Sequence, residues 1–264
     1  REVTVPRLPK RRDEIGSLAQ ALADMTQALR QRIDATDAFA ADVTHELKNP
    51  LASLRSAADA LPRVKDDSQR EQLMAIIQDD VRRLDRLITD IAEASRLDAE
   101  LSRARFEPID LGRVIESMLR ARDMRGPYER GVQVAFARPR IDTAVVRGDE
   151  FRLARVVENL LDNAVSFSPG GGLVQITATR IGDEVIVRVE DEGPGVPEEL
   201  KDSIFRRFTS VRPDMEREEG HSGLGLAIAR AIAEAHGGRL EVETRAEREA
   251  GAAFILRLPA WTAP

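Results

Sequence analysis

The 264-residue sequence contains no cysteine. Disulfides and thiolate metal sites are therefore excluded, and a reducing compartment fits. Aromatic side chains are scarce, with one Trp and one Tyr. No stretch approaches the ~18 consecutive apolar residues that a membrane-spanning helix needs, and no signal-peptide pattern is visible. The first residue is Arg1 rather than Met. The chain is thus expected to be a piece of a longer protein, so the missing span says little about the whole. An excess of basic residues is also lacking. With 46 acidic and 40 basic residues the net charge is −6, and a strongly basic nucleic-acid surface is not indicated. What is present suffices for a soluble core-forming chain of one or two domains, 42% hydrophobic and 33% charged.

Residues 1–12 (REVTVPRLPKRR) are Pro-rich and basic and read as a connector or a plain terminus. From Asp13 a helical pattern begins. Leu18, Leu22, Met25, Leu29, Ile33, Thr36, Ala40, Val43 and Leu47 follow steps of 4, 3, 4, 4, 3, 4, 3 and 4. That is a coiled-coil seam with one additional step of four between Leu29 and Ile33. Such a stutter locally unwinds a supercoil, and a simple packing irregularity accounts for it equally well. The helix continues through Leu54 and Leu61. Pro50 falls inside it, removes one backbone hydrogen bond and predicts a local bend. Pro62 to Asp67 reads as a turn, and Ser68-Gln-Arg-Glu71 as a capping box opening a second helix that ends near Leu97. Two long helices joined by a short turn form an antiparallel hairpin. One hairpin buries too little apolar surface alone, so a homodimer with a four-helix bundle is expected.

Around Ser102 to Pro108 the pattern changes to alternating strands and helices. Strands are predicted at Val132–Phe136, Ala144–Arg147, Leu173–Ile181, Glu184–Glu190, Arg239–Thr244 and Ala252–Leu258. Helices are predicted at Leu111–Met124, Glu150–Phe167 and Ser222–His236. Gly182-Asp183 marks a hairpin. The fold class is therefore α+β, a helical hairpin followed by an α/β sandwich with helices on one face of an antiparallel-rich sheet. The expected division is 1–31, 32–101 and 102–264.

Four stretches bear on chemistry. Phe39 to Leu51 reads FAADVTHELKNPL and carries His45 beside Glu46, one of only three histidines. An imidazole next to a carboxylate can accept a phosphoryl group, and it can equally be ordinary surface. Glu158-Asn159-Leu-Leu-Asp162-Asn163 lies on an amphipathic helix, with Asn159 and Asn163 four apart on one face. Amide oxygens with a carboxylate are hard ligands suited to Mg²⁺, and a polar helix face is the plainer reading of this segment alone. Asp191-Glu-Gly193-Pro-Gly195-Val196 follows a strand. The carboxylate can accept amino hydrogens of a base such as adenine and the glycines admit a flat ligand, while a Gly/Pro turn explains the segment without a ligand. His221-Ser-Gly223-Leu224-Gly225-Leu226 opens an apolar helix and offers backbone N–H groups to phosphate, although one short glycine turn is weak by itself. Thr209 to Gly220, polar and aperiodic, reads as a lid or a plain loop. His236-Gly237-Gly238 reads as a helix stop.

In order and spacing, these stretches resemble the sensor histidine kinases of two-component systems over nearly the whole chain. FAADVTHELKNPL resembles the phospho-acceptor box, ENLLDNAVSFSP the N box and DEGPGV the first glycine box. IFRRF resembles the F box, GLGL the second glycine box and HGGRLEV the segment after it. Pro6 through Leu29 resembles the second half of a HAMP signal-relay module. VRPDMEREEGHSGLGL faintly resembles the alphaproteobacterial envelope-sensing kinases of the ChvG type.

The resemblance implies a protein-histidine kinase. His45 would attack the γ-phosphate of ATP and Glu46 would orient the ring and take its proton. Asn163 would hold Mg²⁺ with Asn159 assisting, and both belong to the ATP site with Phe167. Asp191 would read the adenine amino group, Gly193 and Gly195 would shape its pocket, and Gly223, Leu224 and Gly225 would face the phosphates. Asn49, four residues after His45, implies phosphatase activity on the partner. That partner would be a response-regulator receiver domain, with no nucleic acid involved. The chain would be the cytoplasmic portion of a bacterial inner-membrane protein, reaching the membrane only through N-terminal segments not in this sequence. One departure stands out. Many members carry Lys or Arg and then Tyr where Ser166 and Phe167 stand here. A phosphate-binding cation is lost while Phe167 can still stack, which implies either a lower nucleotide affinity or a replacement by a lid arginine such as Arg207, Arg212 or Arg217. Two rival readings remain at this level: a Bergerat-type ATPase that does not need His45, and a weakly active dimeric scaffold.

Overall fold

The computed structural model describes residues 13–101, 106–124, 126–141, 143–209, 223–244 and 251–262. The connector expected at 1–12 and nearly all of the lid expected between Thr209 and Gly220 lie outside them, as do His221, Ser222, Arg212 and Arg217.

Helix α1 runs over Glu14–Ala60, 47 residues without interruption. Asp13 caps it, its carboxylate accepting from Gly16 N at 3.0 Å. Pro50 lies inside this helix and the helix passes through it unbroken. A 3₁₀ turn at Leu61–Arg63 places Pro62 near its start, where a missing N–H costs little. Helix α2 spans Asp67–Leu101, four residues past the expected end. Its cap is also not the expected one. Asp66 accepts from Ser68 N at 2.8 Å through its carboxylate and from Arg70 N at 3.0 Å through its carbonyl. Ser68 is inside the first turn, because a carboxylate two residues earlier serves the positive helix end better than a hydroxyl.

The two helices pack as an antiparallel hairpin around Pro50, Ala57 and Leu87. Each leaves an apolar stripe outside. Leu18, Leu22, Met25, Leu29 and Ile33 are exposed on α1, and Met74, Val81 and Ile88, seven apart, on α2. Among the described residues nothing covers these seam positions.

The second domain opens with strand β1 (Glu107–Asp110), which the sequence reading missed because Pro108 and two carboxylates disguise it. It pairs antiparallel with β3 (Val145–Gly148). Helix α3 (Leu111–Asp123) is capped by Asp110, and α4 (Glu150–Phe167) by Asp149. The main sheet has the order β2-β4-β5-β7-β6, from β2 (Gln133–Ala137), β4 (Leu173–Ile181), β5 (Glu184–Glu190), β6 (Arg239–Thr244) and β7 (Ala252–Pro259). Only the β2–β4 pair is parallel. Alternate residues of β4 and β5 point inward. They meet the apolar faces of α4 and of α5 (Gly225–Ala235) in one core with Leu111 and Ile115 of α3.

At the end of α5 the expected glycine stop is present, with Gly237 at φ +72°. His236 does more than end the helix. Its Nδ1 donates to Ile232 O at 2.7 Å, and its Nε2 accepts from Asp149 N, the capping residue of α4, at 3.1 Å. The ring stacks on Phe106, centroids 4.6 Å apart. Burial lowers its pKa from 6.5, against the opposing pull of the Ile232 carbonyl and of Asp149. The folded chain therefore holds the ring neutral while the unfolded chain protonates first. The stability this contributes is complete above pH 6.5 and is lost as pH falls towards the lower folded value. The thermal midpoint should decline on going from pH 7 to about 5.5, above the range where carboxylates dominate. His236→Gln, which can donate and accept at the same places, should show a shallower decline over that interval.

Candidate functional site

The site is built on α4. Its apolar residues Leu153, Val156, Val157, Leu160, Leu161 and Ala164 are buried against the sheet. That fixes the opposite stripe, in which Arg155, Asn159 and Asn163 follow at steps of four. Asn159 is buried, and its Nδ2 has no hydrogen-bond partner. Gly225, at the start of α5, lies over it, and a Cβ there would be 3.5 Å from the Asn159 amide. Phe167 ends the stripe.

Asp191 stands at the end of β5, 1% exposed. Its Oδ1 accepts from Gly193 N at 2.8 Å and from Ala252 N at 3.1 Å. The carboxylate therefore braces the turn that follows it against β7. Gly193 is required there because a Cβ would come within 2.7 Å of the Phe167 carbonyl. On the facing side, Gly223 has φ +68° and a Cβ would lie 2.9 Å from Phe208 Cα. The Gly223 carbonyl accepts from Phe208 N at 2.9 Å.

A cavity of about 1230 Å³ joins these segments. Asn159, Asn163, Phe167, Asp191, Gly193, Gly195, Gly223 and Gly225 all line it. Leu224 is not among the lining residues. Its side chain is fully buried in the core, and Leu226 reaches the cavity instead. The turn needs the leucine as an anchor between its two glycines. Ser166 Oγ and Tyr128 OH are buried without hydrogen-bond partners at the same cavity. Burial raises the Tyr128 pKa, opposed by Arg122. Arg122 pairs with Asp162 at 2.5 Å and stands 5.2 Å from the Tyr128 ring centre. Tyr128 and Arg122 were not foreseen, since no spacing ties the loop after α3 to α4.

The far wall belongs to the hairpin. Asp85, Arg86, Thr89 and Asp90 of α2 line the cavity. Arg155 reaches across, Nε donating to Glu93 Oε2 and Nη2 to Asp90 Oδ1, both at 3.0 Å. Those carboxylates raise the Arg155 pKa against its partial desolvation. A second contact lies on α1. Phe39 meets Phe208 with centroids 5.9 Å apart, and the Arg207 guanidinium stands 5.0 Å from the Phe39 ring centre. Arg207 is thus engaged with Phe39 rather than with the α4 stripe.

His45 is exposed on α1, with Asn49 exposed one turn later; neither lines the cavity. Glu46 faces Arg83 of α2 at 3.5 Å, so its carboxylate is turned to the partner helix and not held on the His45 ring as the sequence reading anticipated. Among the described residues no cluster of His, Cys, Asp and Glu could hold a metal ion. A cation here would rest on amide oxygens. The unpartnered, buried Asn159 amide facing the cavity fits that use, because an amide can present its oxygen.

Three family models match the chain: the HAMP domain over residues 2–31, the His Kinase A (phospho-acceptor) domain over 35–100, and the histidine kinase-, DNA gyrase B- and HSP90-like ATPase over 148–262. The sensor protein ChvG of Agrobacterium fabrum is 47% identical over 264 residues, covering 97% of this chain and 44% of that protein. ChvG of Rhizobium meliloti is 46% identical, covering 98% of this chain and 46% of that one. The chain thus spans less than half the length of these curated relatives. Among solved structures, the histidine kinase ThkA in complex with the response regulator protein TrrA superimposes with a TM-score of 0.67 at 26% identity, over 88% of this chain and 64% of that chain. Among the described residues no helix is long and apolar enough to cross a membrane.

Gly193→Ala should be costly without changing any polar group. The added methyl meets a backbone carbonyl at 2.7 Å and the Asp191 carboxylate at 2.9 Å. A loss of about 1–3 kcal/mol is expected from overpacking, measured by chemical denaturation. A wild-type midpoint would show that the turn relaxes and that the close approach is not required.

Proposed function

This chain belongs to the sensor histidine kinases of two-component systems, and we propose that it binds ATP with Mg²⁺ beside α4, phosphorylates His45, and passes that phosphoryl group to an aspartate of a response regulator. One observation carries the reading. The amide stripe of α4, the buried Asp191 and two glycine turns, far apart in sequence, line one cavity whose far wall is the hairpin bearing His45. Adenine against Asp191 and phosphates towards Asn159 fit the chemistry of these groups, a buried carboxylate and a helical amide stripe on one cavity.

In this reading the neutral imidazole of His45 attacks the γ-phosphorus. The N–P bond forms as the O–P bond to the leaving ADP breaks, and the ring proton goes to Glu46 or to water. The Glu46–Arg83 pair would have to loosen for Glu46 to serve. Asn159 and Asn163 would hold the cation, which spreads the charge of the transferring group. The rest of the catalysis is positioning. Phe167 can cover the base. Since His45 is outside the cavity wall, the catalytic domain must shift along the hairpin before transfer.

The exposed seams on α1 and α2 support a homodimer through a four-helix bundle. ThkA crystallised with a response regulator supports a receiver domain as the partner here. Asn49, on the exposed face one turn from His45, supports a phosphatase activity in which its amide positions a water. The HAMP match and the greater length of the ChvG proteins support a cytoplasmic portion of an inner-membrane protein, with HAMP ending near residue 31 and the catalytic domain starting near 102.

Incubation with γ-labelled ATP and Mg²⁺ tests the core of this reading. Wild type should acquire acid-labile, base-stable label and His45→Gln none. Label retained by His45→Gln, or a wild type that never labels, sinks the kinase assignment in favour of an ATPase or a scaffold. Asp191→Asn should lose ATP binding by about tenfold or more, the scale of one charged hydrogen bond. Asn49→Ala should label normally but dephosphorylate its partner far more slowly with ADP present.

A further inference from the structure

We infer that Arg155 is a shared cation. Hairpin docking holds it on Asp90 and Glu93, and bound nucleotide draws it onto the terminal phosphate, so that docking and nucleotide loading compete for one guanidinium. The inference rests on the ATP-binding reading and goes beyond it by naming the residue that couples the cavity to the hairpin.

Position is the first support. Arg155 continues the Asn159–Asn163 stripe one turn towards the hairpin, and all three line the same cavity. A polyphosphate whose base lies at Asp191 and whose cation lies at Asn163 and Asn159 ends next to Arg155. Chemistry is the second. A guanidinium fork binds carboxylate and phosphate oxygens with the same two-pronged geometry, so one set of N–H donors can serve either. The third is the vacancy in charge at Ser166, an uncharged hydroxyl at the cavity. Arg86, Arg122 and Arg130 line the cavity as well, and two of the arginines nearby are committed differently. Arg122 pairs with Asp162 inside the catalytic domain and Arg207 stacks on Phe39. Only the Arg122–Asp162 pair lies wholly within the catalytic domain. The Arg207 contact is to α1, and the Arg155 pairs are to α2, so a movement of α2 away from α4 releases Arg155 from Asp90 and Glu93 and leaves Glu158 of its own helix at 3.7 Å.

The carboxylates add a repulsive element. Asp85 and Asp90 lie on the cavity wall, and Glu93 is held with Asp90 by Arg155. Phosphate charge arriving there meets acidic side chains and attracts their counter-ion. Each partner thus weakens the other, and thermodynamic linkage makes the effect reciprocal. Loading nucleotide would loosen the α2 contact and leave Phe39–Phe208 as the remaining pivot on α1.

The test is Mg·ATP affinity by calorimetry on the full chain. Asp90→Asn with Glu93→Gln should tighten binding about fivefold, a typical coupling factor. Arg155→Ala should weaken it about tenfold, the effect of losing a charged hydrogen bond. The triple variant should bind well below the carboxylate variant, because with the arginine gone the carboxylates have nothing to withhold and only their direct repulsion is relieved. Thermal midpoints of all variants report folding, and the opposite signs of the two changes cannot arise from partial unfolding. If Arg155→Ala tightens binding as the carboxylate variant does, the arginine is only a latch and the inference fails. It fails also if removing the carboxylates leaves affinity unchanged. A wild type that binds no nucleotide overturns the ATP reading itself, and this inference with it.

Discussion

Everything at the site depends on how α4 is seated. Five of its leucines and valines have no exposure, and burial of each such side chain is worth roughly 1.5–3 kcal/mol. Against that anchoring, rotating the helix to turn Asn159 or Arg155 elsewhere would expose leucine and valine at a cost no single polar contact could offset. The amide stripe is therefore held rigidly by the core behind it. The same logic places Leu224. Its buried side chain fixes the turn whose two glycines, Gly223 and Gly225, stay open to the cavity.

Contacts between the hairpin and the catalytic domain are of another kind. Among the described residues they include a partly exposed arginine fork, one aromatic pair with a cation beside it, and the partly buried Ile91 and Ala94 of α2 packed against the core. Exposed ion pairs contribute little, about 0–1 kcal/mol, and partly buried ones gain from lower dielectric but lose in desolvation. A docking surface built of such contacts can open at lower cost than the core holding α4. Strength is thus divided between a cavity wall fixed by the core and a more weakly held contact between the domains.

The exposed seams point the same way for assembly. Leu18 to Ile33 on α1 and Met74, Val81 and Ile88 on α2 keep apolar spacing where nothing among the described residues buries it. The periodicity that forms these helices also leaves an apolar face on each of them.

Much of this was legible in the sequence, where local rules act. Period two gave β4, β5 and β6 at the bounds observed, and period 3.6 gave α4 end to end. Residues whose type is forced locally, the amides of α4 and the glycines of the turns, fell on the cavity as read. Errors came where two local signals competed. Asp66 displaced Ser68 as cap, and Pro108 concealed β1. What the sequence could not decide is which distant groups meet. Arg155 and Glu93 are 62 residues apart, and His236 and Asp149 are 87 apart. Glu46 turns to Arg83, and Tyr128 joins the cavity. Periodicity records which side of an element faces inward, because burial acts on each residue separately. Pairing across the molecule depends on the distances that packing sets once all the elements are in place, and those exist only in the tertiary structure.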